Sequence, residues 1–165
     1  APHSLFWVGC DQDIEKSKTI FWELLEKKII EKKYNLNDIS AIDKLVTFYS
    51  QSINKTSITK INKNNLIWRV NNKELDLKVD EFRCASGYFN EFKINNIDEL
   101  NNIIKRNYQT LSYFGVDKNK FESFFTKKRP LGIDRVVPIG KTLDFSLTWD
   151  GYDLINQMSR VINII

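Results

Sequence analysis

Strand-like and helix-like segments alternate along the second half of the chain, and this order restricts the fold more than any other feature of the sequence. Thr110 to Phe114 and Ile133 to Val137 are short apolar runs typical of buried strands, and Asp117 to Thr126 between them has apolar residues at helical spacing. Strands that alternate with helices pair in parallel and carry the helices on the faces of the sheet. The sequence therefore predicts an α/β fold with a mostly parallel sheet flanked by helices.

The first part of the chain predicts one strand followed by two helices. Leu5 to Val8 is a compact apolar run, and Asp11 to Tyr34 has the apolar spacing of a helix. Asn37 is the predicted N-cap of a second helix. That helix has apolar residues at three- and four-residue spacing, namely Ile39, Ile42, Leu45, Val46, Tyr49 and Ile53.

The middle of the chain predicts short strands joined by turns. These are Ser57 to Ile61, Leu66 to Val70, Leu75 to Val79 and Tyr88 to Ile94. Asn96 and Glu99 have the spacing of a capping box and predict a helix there. A last helix is predicted from Asp150 to Arg160, with Asp150 as its N-cap, before an apolar tail. Without a linker or repeat, residues 1–165 are expected to form a single domain.

Composition excludes several classes of protein. The chain has 165 residues, of which 42% are hydrophobic, so it can bury a core and is not predicted to be disordered. No apolar run approaches the ~18 residues of a membrane span. The net charge of +4 is scattered along the chain, so nucleic-acid binding is not expected. Two cysteines without a CxxC pair predict neither a disulfide framework nor a metal site, and a cytoplasmic location follows as the default.

A motif search finds no dinucleotide-binding glycine motif, no Walker loop, no zinc-protease motif and no serine-hydrolase elbow. His3 is the sole histidine of the sequence, and no Cys–His or Ser–His pair is predicted from it. Residue types that usually have a specific structural or functional role, such as Pro138, Gly140 and Trp149, are instead concentrated in the last third of the chain. The residues alone allow a structural role for them as well as a functional one.

Four stretches carry a family resemblance: FRCASGYF (82–89), QTLSYFG (109–115), GIDRVVPIG (132–140) and WDGYDLINQMSR (149–160). They resemble the C-terminal part of the LuxC-type acyl-CoA reductases, a family of the aldehyde dehydrogenase superfamily. The opening APHSLFW (1–7) is similar to the segment that follows the catalytic cysteine in that family. The resemblance covers essentially the whole chain and is most specific in its last third.

The resemblance implies where the site residues lie. The nucleophilic cysteine is expected just before Ala1, so no catalytic residue is assigned within the chain, and neither Cys10 nor Cys84 matches that position. The family's acid-x-Phe pair, which holds the nicotinamide ribose and ring, corresponds to Asp80 and Phe82. The remaining residues that match the family are expected to line the substrate or the active-site wall: His3, Ser4, Arg135, Pro138, Gly140, Trp149, Asp150 and Gly151.

The implied function is reduction of a fatty acyl-CoA to an aldehyde, with NADPH or NADH as cofactor, through an acyl-thioester of the upstream cysteine. The chain alone is expected to be inactive, because the cofactor-binding N-terminal portion and the nucleophile precede it. A homo-oligomer is a possible state. The alternative is a non-catalytic α/β domain that binds a nucleotide or a protein partner. A nucleic-acid binder would require a basic stripe and salt-dependent binding.

Overall fold

The computed structural model of the chain describes residues 2–54, 57–61 and 64–165. Contacts between residues group the chain into two compact units, residues 1–99 and residues 100–165. Across the described ranges, no helix is both long enough and apolar enough to cross a membrane. The prediction that residues 1–165 form a single domain stays a prediction.

A four-stranded mixed sheet forms the first unit's framework. Its strands are β1 (Ser4–Val8), β2 (Ile58–Ile61), β3 (Trp68–Asn72) and β4 (Tyr88–Ile94), in the spatial order β1-β4-β3-β2. Both β1 and β3 run parallel to β4, whereas β2 runs antiparallel to β3. The predicted α/β class with a mostly parallel sheet and flanking helices is confirmed at this level.

Helix α1 (Asp11–Glu31) packs on one face of this sheet. Its Trp22 is buried against Ile67 and Phe89, and the ring centroids of Phe21 and Trp7 lie 5.6 Å apart in an edge-on arrangement. Successive side chains of a strand point to opposite faces. The face that carries Phe89 on β4 is therefore the face that α1 covers.

Helix α2 (Asp38–Asn54) packs on the opposite face, and the side chain of Asn37 caps it by accepting a hydrogen bond from the backbone N–H of Ser40 at 2.9 Å. Lys44 and Gln51 of α2 are fully buried. The predicted apolar residues of this helix instead face outward and are between 39% and 84% exposed. We call them the α2 stripe: Ile39, Ile42, Leu45, Val46, Tyr49 and Ile53.

Two predicted elements between residues 75 and 104 are wrong in type. Leu75 to Val79 is not a strand, because the carboxylate of Asp76 accepts a hydrogen bond from the backbone N–H of Lys78 at 2.9 Å and turns the chain into a 3-10 helical turn at Val79–Phe82. The predicted helix near Asn96 is also a 3-10 segment, Ile97–Asn102. The capping interaction is present, since Glu99 accepts hydrogen bonds from the backbone N–H groups of Asn95 and Asn96.

The second unit begins with a β-α-β arrangement that agrees with the sequence prediction. Strand β5 (Thr110–Tyr113) pairs in parallel with β6 (Arg135–Pro138), and helix α3 (Lys118–Lys128) connects them. Asp117 caps α3 by accepting a hydrogen bond from the backbone N–H of Asn119 at 2.9 Å. The helix buries Phe121 and Phe124.

The predicted final helix from Asp150 to Arg160 is wrong at its start. Residues 148–153 form a short hairpin of β7 (Thr148–Trp149) and β8 (Tyr152–Asp153). Helix α4 (Leu154–Met158) follows it, and its N-cap is Asp153, whose carboxylate accepts a hydrogen bond from the backbone N–H of Asn156 at 3.2 Å. Asp150 is not a cap, because its φ of +48° places it in the hairpin turn.

Candidate functional site

Arg135, the first residue of β6, organises the second unit's last segment. The guanidinium carbon lies 3.9 Å from the ring centroid of Trp149. Two of its nitrogens donate hydrogen bonds, to the carbonyl oxygens of Thr142 and Asp144, each at 3.1 Å. A planar guanidinium can stack on an aromatic ring and donate within its own plane at the same time. Arg135 therefore fixes the connection between β6 and β7.

The chain turns immediately after β6. The backbone N–H of Ile139 donates to the carbonyl of Tyr113 at 2.9 Å, and that of Lys141 donates to the carbonyl of Pro138 at 3.1 Å. Gly140 has a φ of +90° and is exposed, as is Pro138. A positive φ of this size favours glycine over other residues. The predicted residues Pro138 and Gly140 thus form an exposed turn at the end of the strand.

The hairpin turn packs against the segment that leads into β6. Asp150 and Gly151 both have positive φ, which is the requirement of a type I′ hairpin turn. A Cβ atom on Gly151 would lie 3.0 Å from Oδ1 of Asp134, so the backbone of the turn approaches that carboxylate closely. We call these contacting residues the Arg135 cluster: Asp134, Arg135, Thr142, Asp144, Trp149 and Gly151.

The connection that Arg135 holds presents apolar side chains to its surroundings. Leu143, Phe145 and Leu147 are 89%, 69% and 59% exposed. The ring centroids of Phe145 and Trp149 are 5.2 Å apart, so one of the three is packed against the cluster. The sequence analysis did not single out these residues. The three residues occupy every second position between two predicted site motifs, and this spacing is the signal that would have found them.

His3 and Ser4 lie at the beginning of β1 in the first unit. The backbone N–H of Asn90 donates to the carbonyl of His3 at 2.8 Å, and Ser4 is the register partner of Asn90. Both residues are half-buried, and Ala1 lies outside the described residues. β1 is therefore hydrogen-bonded to β4 from its first residues, and these residues belong to the segment that the resemblance places after the nucleophilic cysteine.

Asp80 and Phe82 belong to the 3-10 turn Val79–Phe82 of the first unit. Both side chains are half-buried, whereas Val79 of the same turn is fully buried. The structure thus places four of the predicted site residues in the first unit and six in the second. Their roles stay predictions.

Glu91 on β4 is a buried carboxylate that the sequence analysis missed. It accepts hydrogen bonds from Trp7 Nε1 at 2.8 Å and from Trp22 Nε1 at 3.4 Å. Arg69 Nε donates to its other oxygen at 2.6 Å, and the Arg69 guanidinium lies 4.7 Å from the Trp22 ring centroid. Four donated hydrogen bonds satisfy the carboxylate. These contacts link α1 to the sheet, and they leave Glu91 a structural role.

The two cysteines have different surroundings. Cys10 is exposed, and its thiol donates to the carboxylate of Asp13 at 3.0 Å. Cys84 is half-buried and packs beside the buried Tyr88. Burial raises the pKa of Tyr88, and the nearby Cys84 adds to that rise in pKa.

Buried groups near Cys84 include the side chain of Lys44. Its ammonium donates to the backbone carbonyl of Asn65, and burial lowers the pKa of this lysine.

Among the residues that the structure describes, no group of three or more His, Cys, Asp or Glu side chains could hold a metal ion.

Comparisons of the chain with protein-family models, with curated proteins and with solved structures find no match.

Proposed function

We propose that the chain is the C-terminal part of a LuxC-type, NAD(P)H-dependent acyl-CoA reductase that converts a fatty acyl-CoA to an aldehyde. The observation that supports this is the Arg135 cluster. Three of the four stretches that carry the resemblance come together there, since β5 pairs with β6 and Arg135 of β6 stacks on Trp149. Residues that share a local structure are expected to share a role, and we assign them to the wall of the active site.

The exposed side chains beside this cluster suit a fatty acyl substrate. Leu143, Phe145 and Leu147 project from a connection that Arg135 holds by two hydrogen bonds. An acyl chain that packed on them would remove apolar surface from water on both partners, which is favourable. Arg135 is then a positioning residue, because it acts on the substrate through the connection that it orders.

The cofactor would be held in part by Asp80 and Phe82. A carboxylate accepts hydrogen bonds from ribose hydroxyls, and an apolar ring packs on a nicotinamide; both side chains are half-buried in the 3-10 turn and so remain accessible. These residue types therefore fit the group. When bound, NADPH or NADH supplies the hydride of the reduction. The rest of the cofactor site belongs to the N-terminal portion of the longer protein.

The proposed chemistry needs a thiolate at the beginning of β1. The thiolate of a cysteine just before Ala1 attacks the carbonyl carbon of the acyl-CoA thioester, and the thiolate of coenzyme A leaves. The bound NADPH or NADH would supply the hydride that reduces this acyl-enzyme thioester, and the aldehyde would leave as the cysteine thiolate is regenerated. His3 and Ser4 follow this position closely in the sequence, and we assign them to contact with the acyl carbonyl. We place the enzyme in the cytoplasm.

The first test concerns the chain's natural context. The coding sequence is expected to continue upstream of Ala1 and to encode a cysteine within about three residues before it. The longer protein should form aldehyde from a long-chain acyl-CoA and NADPH or NADH, and its upstream Cys→Ser variant and the 165-residue chain should not. A coding sequence without that cysteine would contradict the proposal, as would aldehyde formation by the chain alone.

The second test concerns Arg135 in the longer protein. Lysine cannot stack on Trp149 and donate to two carbonyls in one plane, so Arg135→Lys is expected to raise KM for a long-chain acyl-CoA more than KM for a short-chain one. Arg106→Lys, at an exposed position, serves as the matched control. Equal effects on both chain lengths would contradict the assignment of this segment to the acyl chain.

A second candidate function is a non-catalytic α/β domain that binds a protein partner. The observation that favours it is the exposed α2 stripe. The two functions are distinguished by the activity of the longer protein, because a binding domain predicts no aldehyde formation with any acyl-CoA.

A further inference from the structure

The buried face of α2 holds the side chain of Lys44 between this helix and the sheet. Gln51 Nε2 donates a hydrogen bond to Asn90 Oδ1 at 2.8 Å, and the hydroxyl of Tyr88 donates to Gln51 Oε1 at 2.7 Å. Rotating the helix would break these bonds and leave buried polar groups unpaired, which costs free energy. Lys44 lies about two helical turns before Gln51 and is fully buried on the same face.

Cys84 lies close to Lys44 in this interface. It packs against the buried cluster of Trp68, Val70 and Tyr88, which is on the face of the sheet that α2 covers. Burial lowers the pKa of Lys44, and the charge of the Cys84 thiolate opposes this effect on the pKa. Such an effect falls off with distance, so the amine and the thiol are neighbours. A buried lysine with a lowered pKa is suited to accept a proton.

The cluster that Cys84 packs against also contains an unpaired hydrogen-bond donor. Trp68 is 6% exposed, and its indole N–H donates to no acceptor among the residues that the structure describes. A buried donor without an acceptor costs free energy. A polar group attached to Cys84 would bring hydrogen-bond acceptors to this cluster.

A groove opens beside Cys84 and has a charged wall. It has a volume of about 330 Å³ and is lined by Asp43, Val46, Thr47, Arg83, Cys84 and Ala85. Small molecules bind in cavities of about 300–1,000 Å³. Asp43 and Arg83 are exposed and have opposite charges, so a ligand with an ammonium group and a carboxylate can pair with both. The groove therefore combines a thiol with the charges that recognise a small zwitterion.

We propose that Cys84 is a modification site that forms a mixed disulfide with a small zwitterionic disulfide bound in this groove. The amine of Lys44 accepts the proton of the thiol, and the Cys84 thiolate attacks one sulfur of the bound disulfide. That S–S bond breaks as the new one forms, and the other half leaves as a thiolate, which takes up the proton. Cys84 is oxidised, and the released half is reduced to a free thiol. The proposal does not depend on the proposed function.

Glutathione disulfide tests the proposal on the 165-residue chain, with mass spectrometry to follow the mixed disulfide. Cys10 is exposed and Cys84 is half-buried, so accessibility alone predicts faster reaction at Cys10. We expect Cys84 in a Cys10→Ser chain to react at least about tenfold faster than Cys10 in a Cys84→Ser chain. In urea the two rates should become similar. A folded chain in which Cys84 reacts no faster than Cys10 would overturn the proposal, as would a difference that persists in urea.

Two variants test the groove and the base separately. Arg83→Gln should slow the reaction of Cys84 with glutathione disulfide about threefold and leave its reaction with the uncharged bis(2-hydroxyethyl) disulfide unchanged. Arg106→Gln, at an exposed position of the second unit, is the control and should change neither rate. Lys44→Met should slow the reaction with both reagents, whereas a purely structural loss would expose Cys84 and accelerate both. Equal effects of Arg83→Gln on the two reagents, including none, would overturn the proposal, and so would a Lys44→Met chain that reacts as fast as the wild type or faster.

Discussion

Glu91 is a single residue whose two carboxylate oxygens join α1, β1 and β3. It is fully buried, whereas its cationic partner Arg69 keeps 21% of its side chain exposed. A buried charge is tolerated when it is paired and its remaining hydrogen-bonding capacity is used. The indole N–H groups of Trp7 and Trp22 complete that requirement. Removing this carboxylate is therefore expected to affect the fold more than removing an exposed one.

Glu91→Gln keeps the size of the side chain but removes the charge that pairs with Arg69. The variant is expected to lower the free energy of unfolding by about 3 kcal/mol, because breaking a buried pair leaves its partner uncompensated. Urea unfolding measures the change. Glu122→Gln is the control: Glu122 pairs with Lys118 on the surface, and its loss should change stability by less than about 0.5 kcal/mol. Equal effects of the two variants would contradict the role of Glu91.

Lys44 gives stability a dependence on pH. Burial lowers the pKa of its ammonium in the folded chain, whereas a lysine in the unfolded chain has a pKa of about 10.4. Between these two pKa values the unfolded chain binds more protons at this residue, so the free energy of unfolding rises with pH there. Lys44→Met is expected to abolish that rise.

The measurement for Lys44 is urea unfolding of both proteins across the alkaline range. Tyr88 acts in the opposite direction above pH ~10, because burial raises its pKa and the unfolded chain then loses a proton first. The wild type and Lys44→Met share that fall, so their difference isolates the lysine. Parallel curves for the two proteins would contradict the assignment.

At the scale of elements, the Asp150–Gly151 hairpin replaces the start of a predicted helix. Both residues have positive φ, and the sequence Asp-Gly is a strong hairpin signal in its own right. The prediction weighed Asp150 as a helix cap and did not weigh it as a turn residue. The helix began instead after Asp153, which is an equally good cap.

Gly151→Ala is expected to lower the free energy of unfolding by more than about 1 kcal/mol, because alanine is strained at a φ of +82° and its Cβ would crowd Asp134. Asp150→Asn should leave stability nearly unchanged, since asparagine tolerates a positive φ and packs no larger side chain. Thermal melting followed by circular dichroism compares the two variants. A larger loss for Asp150→Asn than for Gly151→Ala would show that the carboxylate of Asp150 makes a contact essential to the hairpin.

Elements with a strong local signal were predicted correctly, and those decided by distant contacts were not. Asp117 caps helix α3, and Pro138 ends strand β6. Both effects involve residues that are close in the sequence, so these two elements could be predicted. The orientation of α2 could not be predicted, because it depends on Asn72 and Asn90, which lie far along the chain from Gln51. Three of the six residues of the Arg135 cluster, Arg135, Trp149 and Gly151, were predicted as site residues. Their contacts could not be predicted, because they depend on the path of the loop between β6 and β7, to which Arg135 donates its hydrogen bonds.

At the scale of the whole molecule, the predicted single domain can be tested by whether both units unfold together. Trp7, Trp22 and Trp68 lie in the first unit and Trp149 lies in the second. With 5-fluorotryptophan labelling, fluorine NMR follows each of them through a urea titration. A single domain predicts that all four signals change with one midpoint. Loss of the folded Trp149 signal at a lower urea concentration would instead show two independently stable domains.

Helix α2 buries polar side chains and exposes apolar ones, which is the reverse of the usual pattern. We therefore expect the chain to tolerate mutations at its exposed apolar positions better than at its buried polar ones. A library selected only for resistance to proteolysis should accept acidic residues throughout the α2 stripe and reject most changes at Lys44 and Gln51. A sequence-based method that assigns apolar residues to the interior would rank those same positions in the opposite order. A redesign for solubility that follows such a ranking would keep the exposed stripe and replace the buried Lys44 and Gln51 first, and the resulting protein would lose stability without gaining solubility.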